Sequence, residues 1–287
     1  MKTRVRIPCV RKMLIMPGIA VVAATGLILP NPASGQIIAD FSGGGSTASP
    51  VTNQVDAWTG MAGEGWQTAW SSSGNSSVTR VADVLDSAPL TPGENYLQFS
   101  MINPEDGVQT GAVHRQYDGA SMGLQQTVSF QFRLDSALST FNRIRIFDGQ
   151  SATLTESGVV SWFIRTQGTT WRVYNGTSTV DTGMTLVAGN VYDFRIQITD
   201  DTYSVTINDL TAETNYTSGA LDFYSASATT VGGYLNFSLA TAANSTSMAS
   251  LSGIEIIPEP SVASAFLLGM LLLGGRRYGV DSRNTTR

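Results

Sequence analysis

The sequence predicts an all-β fold, an antiparallel β-sandwich of two sheets. Three observations support this class. Short stretches of the chain alternate apolar and polar residues, which is the period of a half-buried strand. Turn-forming Gly, Asn, Asp and Ser residues separate these stretches. Outside the two ends of the chain, no window of helical periodicity exceeds two turns. We therefore expect about a dozen short strands and no helix in the central region.

The clearest strand signal lies in residues 124–134, and the clearest hairpin lies in residues 190–209. In the first, the apolar face is formed by Val128, Phe130, Phe132 and Leu134. In the hairpin, Asp200-Asp201 marks the turn. Weaker strand signals cover 36–41, 78–85, 95–101, 112–116, 144–146, 159–166, 170–175, 234–239 and 251–257. Residues 71–77 are polar and predict a turn.

The order of these strands resembles the concanavalin A-like and laminin-G-like jelly rolls. The resemblance is carried by the hairpin at 191–208 and by the late strand at 251–257. It implies that a strand near the C-terminus pairs close to the N-terminal one. The expected architecture is a jelly-roll domain at 36–257, flanked by an N-terminal signal helix and a short C-terminal hydrophobic helix.

The first 35 residues have the three parts of a secretory signal peptide. Five basic residues lie within residues 1–12, residues 13–29 are mainly apolar, and Ala33-Ser34-Gly35 supplies small residues before a cut at Gln36. The pattern predicts export through the Sec translocon. The alternative is an uncleaved N-terminal anchor.

The last 30 residues, 258–287, form a second address signal. Pro258 and Pro260, on either side of Glu259, favour a rigid extended segment that cannot join a helix. Residues 262–275 carry no charge, and as a helix they would cover about 21 Å of a hydrocarbon core roughly 30 Å thick. Arg276 and Arg277 follow and predict a cytoplasmic end. The segment is short for a permanent anchor but adequate as a transient one.

This tail resembles the PEP-CTERM sorting signal of Gram-negative bacteria. The resemblance implies recognition by exosortase, a membrane-embedded transpeptidase that cuts near Pro258-Glu259-Pro260 and passes the protein to the cell surface or extracellular polymer. Ten residues follow the basic pair, more than such signals usually carry. The alternative is an ordinary single-span anchor.

Composition narrows the function classes. The only cysteine, Cys9, lies in the signal peptide, so residues 36–257 can hold no disulfide and no thiolate site. Those residues contain eight arginines, no lysine and twenty acidic residues, a net charge of −12. A field of that sign repels nucleic acid and anionic lipid, and it suits a soluble extracellular protein. Nucleic acid is therefore not expected as a partner.

The sequence predicts no catalytic residues and no enzyme. The single histidine, His114, lies in a predicted strand, where a histidine is usually a structural or surface residue, and no Glu-x-Asp-x-x-Glu motif is present. No cofactor is predicted either, although calcium ligands are conceivable in three loops. These are Asp148-Gly149, Asp200-Asp201 and Asn208-Asp209. The alternative is that these carboxylates are solvated turn residues.

The clearest surface pattern is a series of arginines in successive predicted strands. Most of them are an odd number of residues from the apolar residues of the same strand, so they are expected on the face that points away from the core. They are Arg133, Arg143, Arg145, Arg165, Arg172 and Arg195. If they share one sheet face, guanidinium forks there can bind an anionic glycan. The candidate glycan site is Arg143, Arg145, Arg172, Tyr174 and Arg195. The alternative is cross-strand pairing of these arginines with acids on a solvated face.

Three tryptophans, Trp58, Trp66 and Trp70, either stack on sugar rings or lie buried under a loop.

The predicted function is that of an exported, exosortase-sorted protein at the cell surface or in the extracellular matrix of a Gram-negative bacterium. Its membrane contact runs through 262–275, and its role is structural or adhesive within acidic exopolysaccharide. The first alternative is a carbohydrate-binding module, and the second is a divergent glycan-active hydrolase.

Overall fold

The computed structural model describes residues 37–39, 66–68, 70–85, 90, 95–117, 125–136, 143–149, 160–199, 202–225 and 233–258. These residues form sixteen strands. In chain order they are β1 (Ile37–Ala39), β2 (Ser71–Gly74), β3 (Thr79–Leu85), β4 (Tyr96–Asn103), β5 (Gln109–Gln116), β6 (Gln126–Leu134), β7 (Ile144–Gly149), β8 (Val160–Gln167), β9 (Thr170–Tyr174), β10 (Thr179–Thr185), β11 (Val191–Ile198), β12 (Thr202–Asp209), β13 (Thr214–Thr217), β14 (Leu221–Asp222), β15 (Tyr234–Thr241) and β16 (Ser245–Pro258).

The strands form two antiparallel sheets. Sheet I has nine strands in the order β13-β12-β11-β6-β16-β4-β3, with β1 beside β16 and β14 beside β12. Sheet II has seven strands in the order β10-β9-β8-β7-β15-β5-β2. The predicted all-β, two-sheet jelly-roll sandwich is therefore confirmed. Its N-terminal and C-terminal strands are neighbours, since Ile37 pairs with Ile256.

Aromatic side chains from the two inner faces fill the space between the sheets. Trp171 of β9 has its ring centroid 5.1 Å from that of Phe194 on β11 and 5.9 Å from that of Phe132 on β6. Phe130 on β6 meets Phe237 on β15 edge-on, with ring centroids 5.2 Å apart. Each such ring buries a large apolar area, so these contacts dominate the attachment of one sheet to the other.

Strand β16 is longer than predicted and lies in the middle of sheet I, between β4 and β6. A register shift against β6 falls between Ser252 and Glu255. Gly253 sits there with φ of 56°, a left-handed conformation that a side chain would disfavour. The bulge explains why a 14-residue strand can continue through the sheet to Pro258.

The predicted turn at 71–77 is wrong in its first half, because Ser71–Gly74 is strand β2. It pairs with β5 at the edge of sheet II and has no apolar side chain to mark it. Strands β10, β13 and β14 were not predicted either, and they also lie at or near sheet edges. Edge strands bury few residues, so alternation is weak in their sequences.

The predicted signal helix at 1–35 and the predicted hydrophobic helix at 262–275 lie outside the described residues, as does the predicted turn Asp200-Asp201. Within the ranges given above, no helix is long and apolar enough to cross a bilayer.

Candidate functional site on the outer face of sheet II

Three arginines stand directly opposite one another on neighbouring strands of sheet II. Arg145 on β7 pairs in register with Arg165 on β8, and Arg165 pairs with Arg172 on β9. We call these three residues the arginine row. The next residue in register is Asp181 on β10, which pairs with Arg172. The row thus crosses three strands and ends at an acid.

Strand alternation places the arginine row on the outer face. The neighbours of Arg145 along β7, Ile144 and Ile146, are buried in the core between the sheets. Trp171 and Val173, on either side of Arg172 along β9, are buried in the same core. Because the period is two, each arginine between two core residues points away from the sandwich core. All three arginines are half-buried.

Two members of the row, Arg165 and Arg172, each have a guanidinium nitrogen without a hydrogen-bond partner among the described residues. Arg172 Nη2 lies 3.2 Å from Asp181 Oδ2, and Arg165 Nη2 donates to Gln167 Oε1 at 3.3 Å. The Nε atoms of Arg165 and Arg172 are buried and have no hydrogen-bond partner among the described residues. Since like charges directly opposite in a sheet are destabilising, an anion bound along this row would relieve the repulsion between neighbouring guanidinium groups.

A second row of side chains runs beside the arginine row, one pleat away. Phe147 pairs in register with Phe163 across β7 and β8, Tyr174 lies on the same face of β9, and we call the three the aromatic row. Phe147 and Phe163 are buried, with ring centroids 6.1 Å apart. Tyr174 is half-buried, and its ring lies 4.4 Å from that of Tyr224. The aromatic row holds this part of the outer face rigid and leaves Tyr174 partly accessible next to Arg172.

Arg143 lies one residue before β7 and two residues from Arg145, on the same side of the sheet. Its carbonyl accepts a hydrogen bond from the backbone N–H of Ala240 at 2.8 Å, so its backbone is held in the sheet. Its side chain is exposed. Of the predicted glycan site, the structure therefore places Arg143, Arg145, Arg172 and Tyr174 on one face, with Arg143 outside the register of the arginine row.

The expectation that all six arginines share one face is wrong for Arg133 and Arg195. Arg195 on β11 and Arg133 on β6 belong to sheet I, on the other side of the sandwich. The prediction used only the alternation of residues within each strand. That alternation shows which side chains point away from the core, but it does not show which of the two sheets the strand joins. Arg165, which was in the arginine pattern but not in the predicted site, occupies the centre of the row instead.

On sheet I, each arginine has an acid close by. Arg133 Nε lies 3.1 Å from Asp135 Oδ1. Arg195 lines a surface depression of about 450 Å³ together with Asp193 and Glu255. Burial raises the pKa of Asp193, while Asn208 and Arg195 counteract this shift. On this face the acids closest in sequence, Asp135 and Asp193, are two residues from the arginines along the chain, and the residues directly opposite Arg133 and Arg195 on neighbouring strands are uncharged.

Asp148, one of the conceivable calcium ligands, is buried in a hydrogen-bonded cluster. Its carboxylate accepts from Tyr117 Oη at 2.8 Å, from Ser161 Oγ at 2.7 Å and from the backbone N–H of Gly233 at 3.1 Å. Burial, and then the nearby Asp148 charge, raise the pKa of Tyr117 well above its usual value, which keeps it a donor. These donors make Asp148 part of the fold and a poor calcium ligand.

Asp209, a second conceivable ligand, also has donors. It accepts from Asn190 Nδ2 at 2.8 Å and from the backbone N–H groups of Thr211 and Ala212 at 3.0 and 2.9 Å. Among the described residues, no group of three or more His, Cys, Asp and Glu side chains is placed to hold a metal ion. Asp200-Asp201 lies outside these residues.

Trp66 and Trp70 are buried, which confirms the second of the two interpretations for this pair. The guanidinium carbon of Arg115 lies 4.7 Å above the Trp66 ring, and Arg115 Nε donates to the Thr68 carbonyl at 2.8 Å. Trp58 lies outside the described residues. His114 is also buried, edge-on to Tyr234 with ring centroids 6.2 Å apart. These aromatic residues build the sandwich.

Of the predicted sorting motif, the structure describes only Pro258. It is the last residue of β16 and pairs in register with Gln126. Glu259, Pro260, Arg276 and Arg277 lie outside the described residues. The strand therefore reaches the first proline of the motif without an intervening linker.

Comparisons with known proteins return similar shapes and no family. No family model matches the chain, and no curated protein matches it. A protein of unknown function from Shewanella oneidensis MR-1 is 16% identical with a TM-score of 0.45, covering 74% of this chain and 86% of its own. A carbohydrate esterase of the Shiga toxin-encoding bacteriophage phi24B is 12% identical with a TM-score of 0.42, over 72% and 97%. Peanut lectin is 14% identical with a TM-score of 0.42, over 74% and 100%. Scores below 0.5 decide neither fold nor function, so the jelly-roll sandwich rests on the two sheets themselves.

Proposed function

We propose that this protein binds acidic polysaccharide through the outer face of sheet II. The observation that carries the proposal is the register of Arg145, Arg165 and Arg172 on three neighbouring strands. Guanidinium groups bind carboxylate and sulfate with paired hydrogen bonds, which a lysine cannot do. Tyr174, half-buried beside Arg172, adds a ring against which a sugar can pack.

The negative net charge of the domain repels a polyanion at long range, but it has little effect on a polyanion that is in contact with the arginine row. Residues 36–257 carry −12 overall. At physiological ionic strength, exposed charges separated by more than about 8 Å are largely screened from one another. The arginine row acts at contact distance, where its own charge dominates. We therefore expect a short-range, salt-sensitive interaction with a polymer of moderate charge density.

The binding test compares two double variants of the full chain that lose the same charge. Arg165→Ala with Arg172→Ala removes two members of the arginine row, and Arg133→Ala with Arg195→Ala removes two arginines from sheet I. With a polyuronate as the probe in titration calorimetry, we expect at least about a tenfold loss for the first pair and little change for the second. Equal losses in both variants, or no loss in the first, would refute the arginine row as the site.

Two further measurements test whether binding depends on calcium and whether the protein cleaves the polymer. We propose binding that does not need calcium and does not cleave the polymer. Affinity is expected to be unchanged in a chelator, and polymer length is expected to stay constant during prolonged incubation. Shortening of the polymer would favour a glycan-active enzyme over a binding protein.

We also propose that the protein is exported and sorted to the cell surface, where binding gives it a structural or adhesive role in exopolysaccharide. Support comes from the signal-peptide pattern at 1–35 and from the order of proline motif, apolar run and basic pair at 258–277. Mass spectrometry of the protein extracted from the cell surface tests this. A C-terminus near Pro258–Ser261 is expected, and an intact Arg287 in the mature form would contradict exosortase-type sorting.

A further inference from the structure

We infer that the ligand of sheet II is a linear polyanion whose axis runs across the strands, along the arginine row, with one anionic group at each of β7, β8 and β9. This inference rests on the proposed function and adds to it the direction and the length of the site. It follows from the register of the row, from the strand spacing and from the residues at the two ends of the row.

The spacing of the row suits a polymer with one charge per sugar. Neighbouring strands lie about 4.8 Å apart, so Arg145, Arg165 and Arg172 repeat at roughly that interval. This interval is close to the advance of one pyranose ring along a polysaccharide chain. A chain lying across β7, β8 and β9 therefore brings successive carboxylates or sulfates past successive guanidinium groups.

The opposite direction, along a strand, offers fewer cations. Along β7 and the residue before it, the outward residues in order are Arg143, Arg145 and Phe147. On β9 they are Thr170, Arg172 and Tyr174. A ligand running along either strand passes two arginines at most and then reaches the aromatic row. Only the direction across the strands meets three arginines in succession.

Both ends of the row limit the length of the site. At one end, Asp181 pairs with Arg172 and repels a further anionic group. At the other end, the residue in register with Arg145 is Ser238 on β15, which is 1% exposed. Beyond it comes Ala112 on β5, which is fully buried. The site therefore holds three anionic groups and no more.

The aromatic row lies parallel to the arginine row and on one side of it. Phe163 and Tyr174 are each two residues from an arginine on the same strand and the same face. On the other side of the row lie Arg143 and Gln167, which are exposed and polar. A sugar chain along the row thus meets arginine at its anionic edge and Tyr174 at the apolar surface of a ring.

The test measures affinity of the full chain for oligouronates of one to six residues. Affinity is expected to rise steeply from one to three residues and then to level off, since each added charge up to the third gains a guanidinium partner. Two single variants of equal charge change give the direction. Arg165→Ala removes the centre of the row, and Arg143→Ala removes a cation of the same face that lies outside it.

For the trimer, we expect Arg165→Ala to lose about tenfold in affinity and Arg143→Ala to stay within about twofold of the unchanged protein. The Arg165→Ala variant should also lose the gain between two and three residues. Near-identical melting temperatures of both variants establish that they are folded.

The outcomes separate this inference from the proposed function. A larger loss in Arg143→Ala than in Arg165→Ala would mean that the ligand runs along β7. That result would overturn the direction while leaving polyanion binding intact. Equal affinity for monomer and trimer would overturn the row as a repeating site in favour of a single-anion site. Unchanged binding in both single variants and in the Arg165/Arg172 double variant would overturn the proposed function as well.

Discussion

The outer faces of the two sheets both carry arginine, but they give it different neighbours. On sheet I, Arg133 contacts Asp135, and Arg195 shares a depression with Asp193 and Glu255. On sheet II, Arg145, Arg165 and Arg172 stand next to one another in register, and the paired acid, Asp181, comes only after the third arginine. One face is internally balanced, and the other repeats a single charge.

Register, more than composition, thus distinguishes the arginines of sheet I from those of the proposed binding face on sheet II. Cross-strand pairs of opposite charge stabilise a sheet by about 0.2–1 kcal/mol, and like charges directly opposite destabilise it by similar amounts. On sheet I the residues directly opposite Arg133 and Arg195 are uncharged, so no such repulsion arises there. The sheet II arrangement costs stability until an anion occupies it, which is the behaviour expected of a ligand site.

The largest effect expected is from Trp171, which lies next to Arg172 on β9 but points into the core. Its ring contacts Phe132, Tyr192 and Phe194 of sheet I. Trp171→Ala should lower the free energy of unfolding by about 3–5 kcal/mol, because it leaves a cavity between the sheets. Arg172→Ala on the opposite face is the control and should change stability by less than about 1 kcal/mol. Urea denaturation measures both, and comparable losses would mean that Arg172 is structural.

A smaller effect is expected from alkaline pH, through a contact that links the two sheets. Tyr192 on β11 donates to the carbonyl of Thr185 at the end of β10 and accepts from the Val187 N–H at 2.8 Å. Burial raises the pKa of Tyr192 to about 12, from an ordinary value near 10. The stability it contributes is complete below pH 10. As the pH rises from 10 to 12, that stability is lost, because the unfolded chain releases this proton first.

The measurement is the unfolding free energy at pH 8, 10 and 12 for the unchanged protein and for Tyr192→Phe. The variant should be less stable at pH 8 by about 1–3 kcal/mol, since Val187 N–H loses its acceptor. It should also lose less stability between pH 10 and 12. Burial raises the pKa of Tyr117 and of Tyr203 as well, so the stability that these two contribute is also lost above pH 10 and part of the loss should remain. An identical pH dependence in the two proteins would contradict the role of Tyr192.

A charge reversal on each face tests the comparison directly. Arg165→Glu converts two like-charge pairs into two opposite-charge pairs, so it should raise the free energy of unfolding by about 1 kcal/mol. It should at the same time abolish polyuronate binding. Arg195→Glu places a third acid beside Asp193 and Glu255 and should lower stability by about 0.5–1 kcal/mol. The same chemical change is thus expected to have opposite signs on the two faces. Equal signs would show that the register does not control stability here.

The smallest effect is expected from Asp181→Asn, which removes the acid at the end of the row. Asp181 is exposed, so its pairing with Arg172 contributes less than about 0.5 kcal/mol to stability. Binding of a polyuronate should strengthen by about two- to threefold, because Arg172 is freed and the repulsion at that end is lost. Weaker binding in this variant would mean that Asp181 orients Arg172 for the ligand.

Much of the fold was predictable because burial leaves a period in the sequence. The alternation at Val128, Phe130 and Phe132 identified β6, and all three side chains are buried. The hairpin of β11 and β12 was predictable for the same reason. Strand β2, built from Ser71–Gly74, left no such period, since its residues are polar and lie at a sheet edge.

The candidate site was predictable only in part. The parity of Arg145 and Arg172 against their apolar neighbours showed that both leave the core, and the structure places them on one face. The same parity grouped Arg195 with them, although β11 belongs to the other sheet. Tyr224, which packs on Tyr174, had no signal in the sequence, because it follows β14 and lies in no predicted strand, although its backbone N–H donates to the Ser161 carbonyl of β8.

The inward-facing residues, the all-β class and the strong negative charge all follow from the sequence alone. These are properties of composition and of the two-residue period, and they need no partner strand. The two terminal address signals stay predictions. The three-dimensional structure was needed to show that Arg145, Arg165 and Arg172 form one row on sheet II. It was also needed to show that Arg133 and Arg195 lie on sheet I. That outcome depends on which strands become neighbours and in what register. Pairing over many residues of chain is set by packing of the whole core, and a local pattern does not contain it.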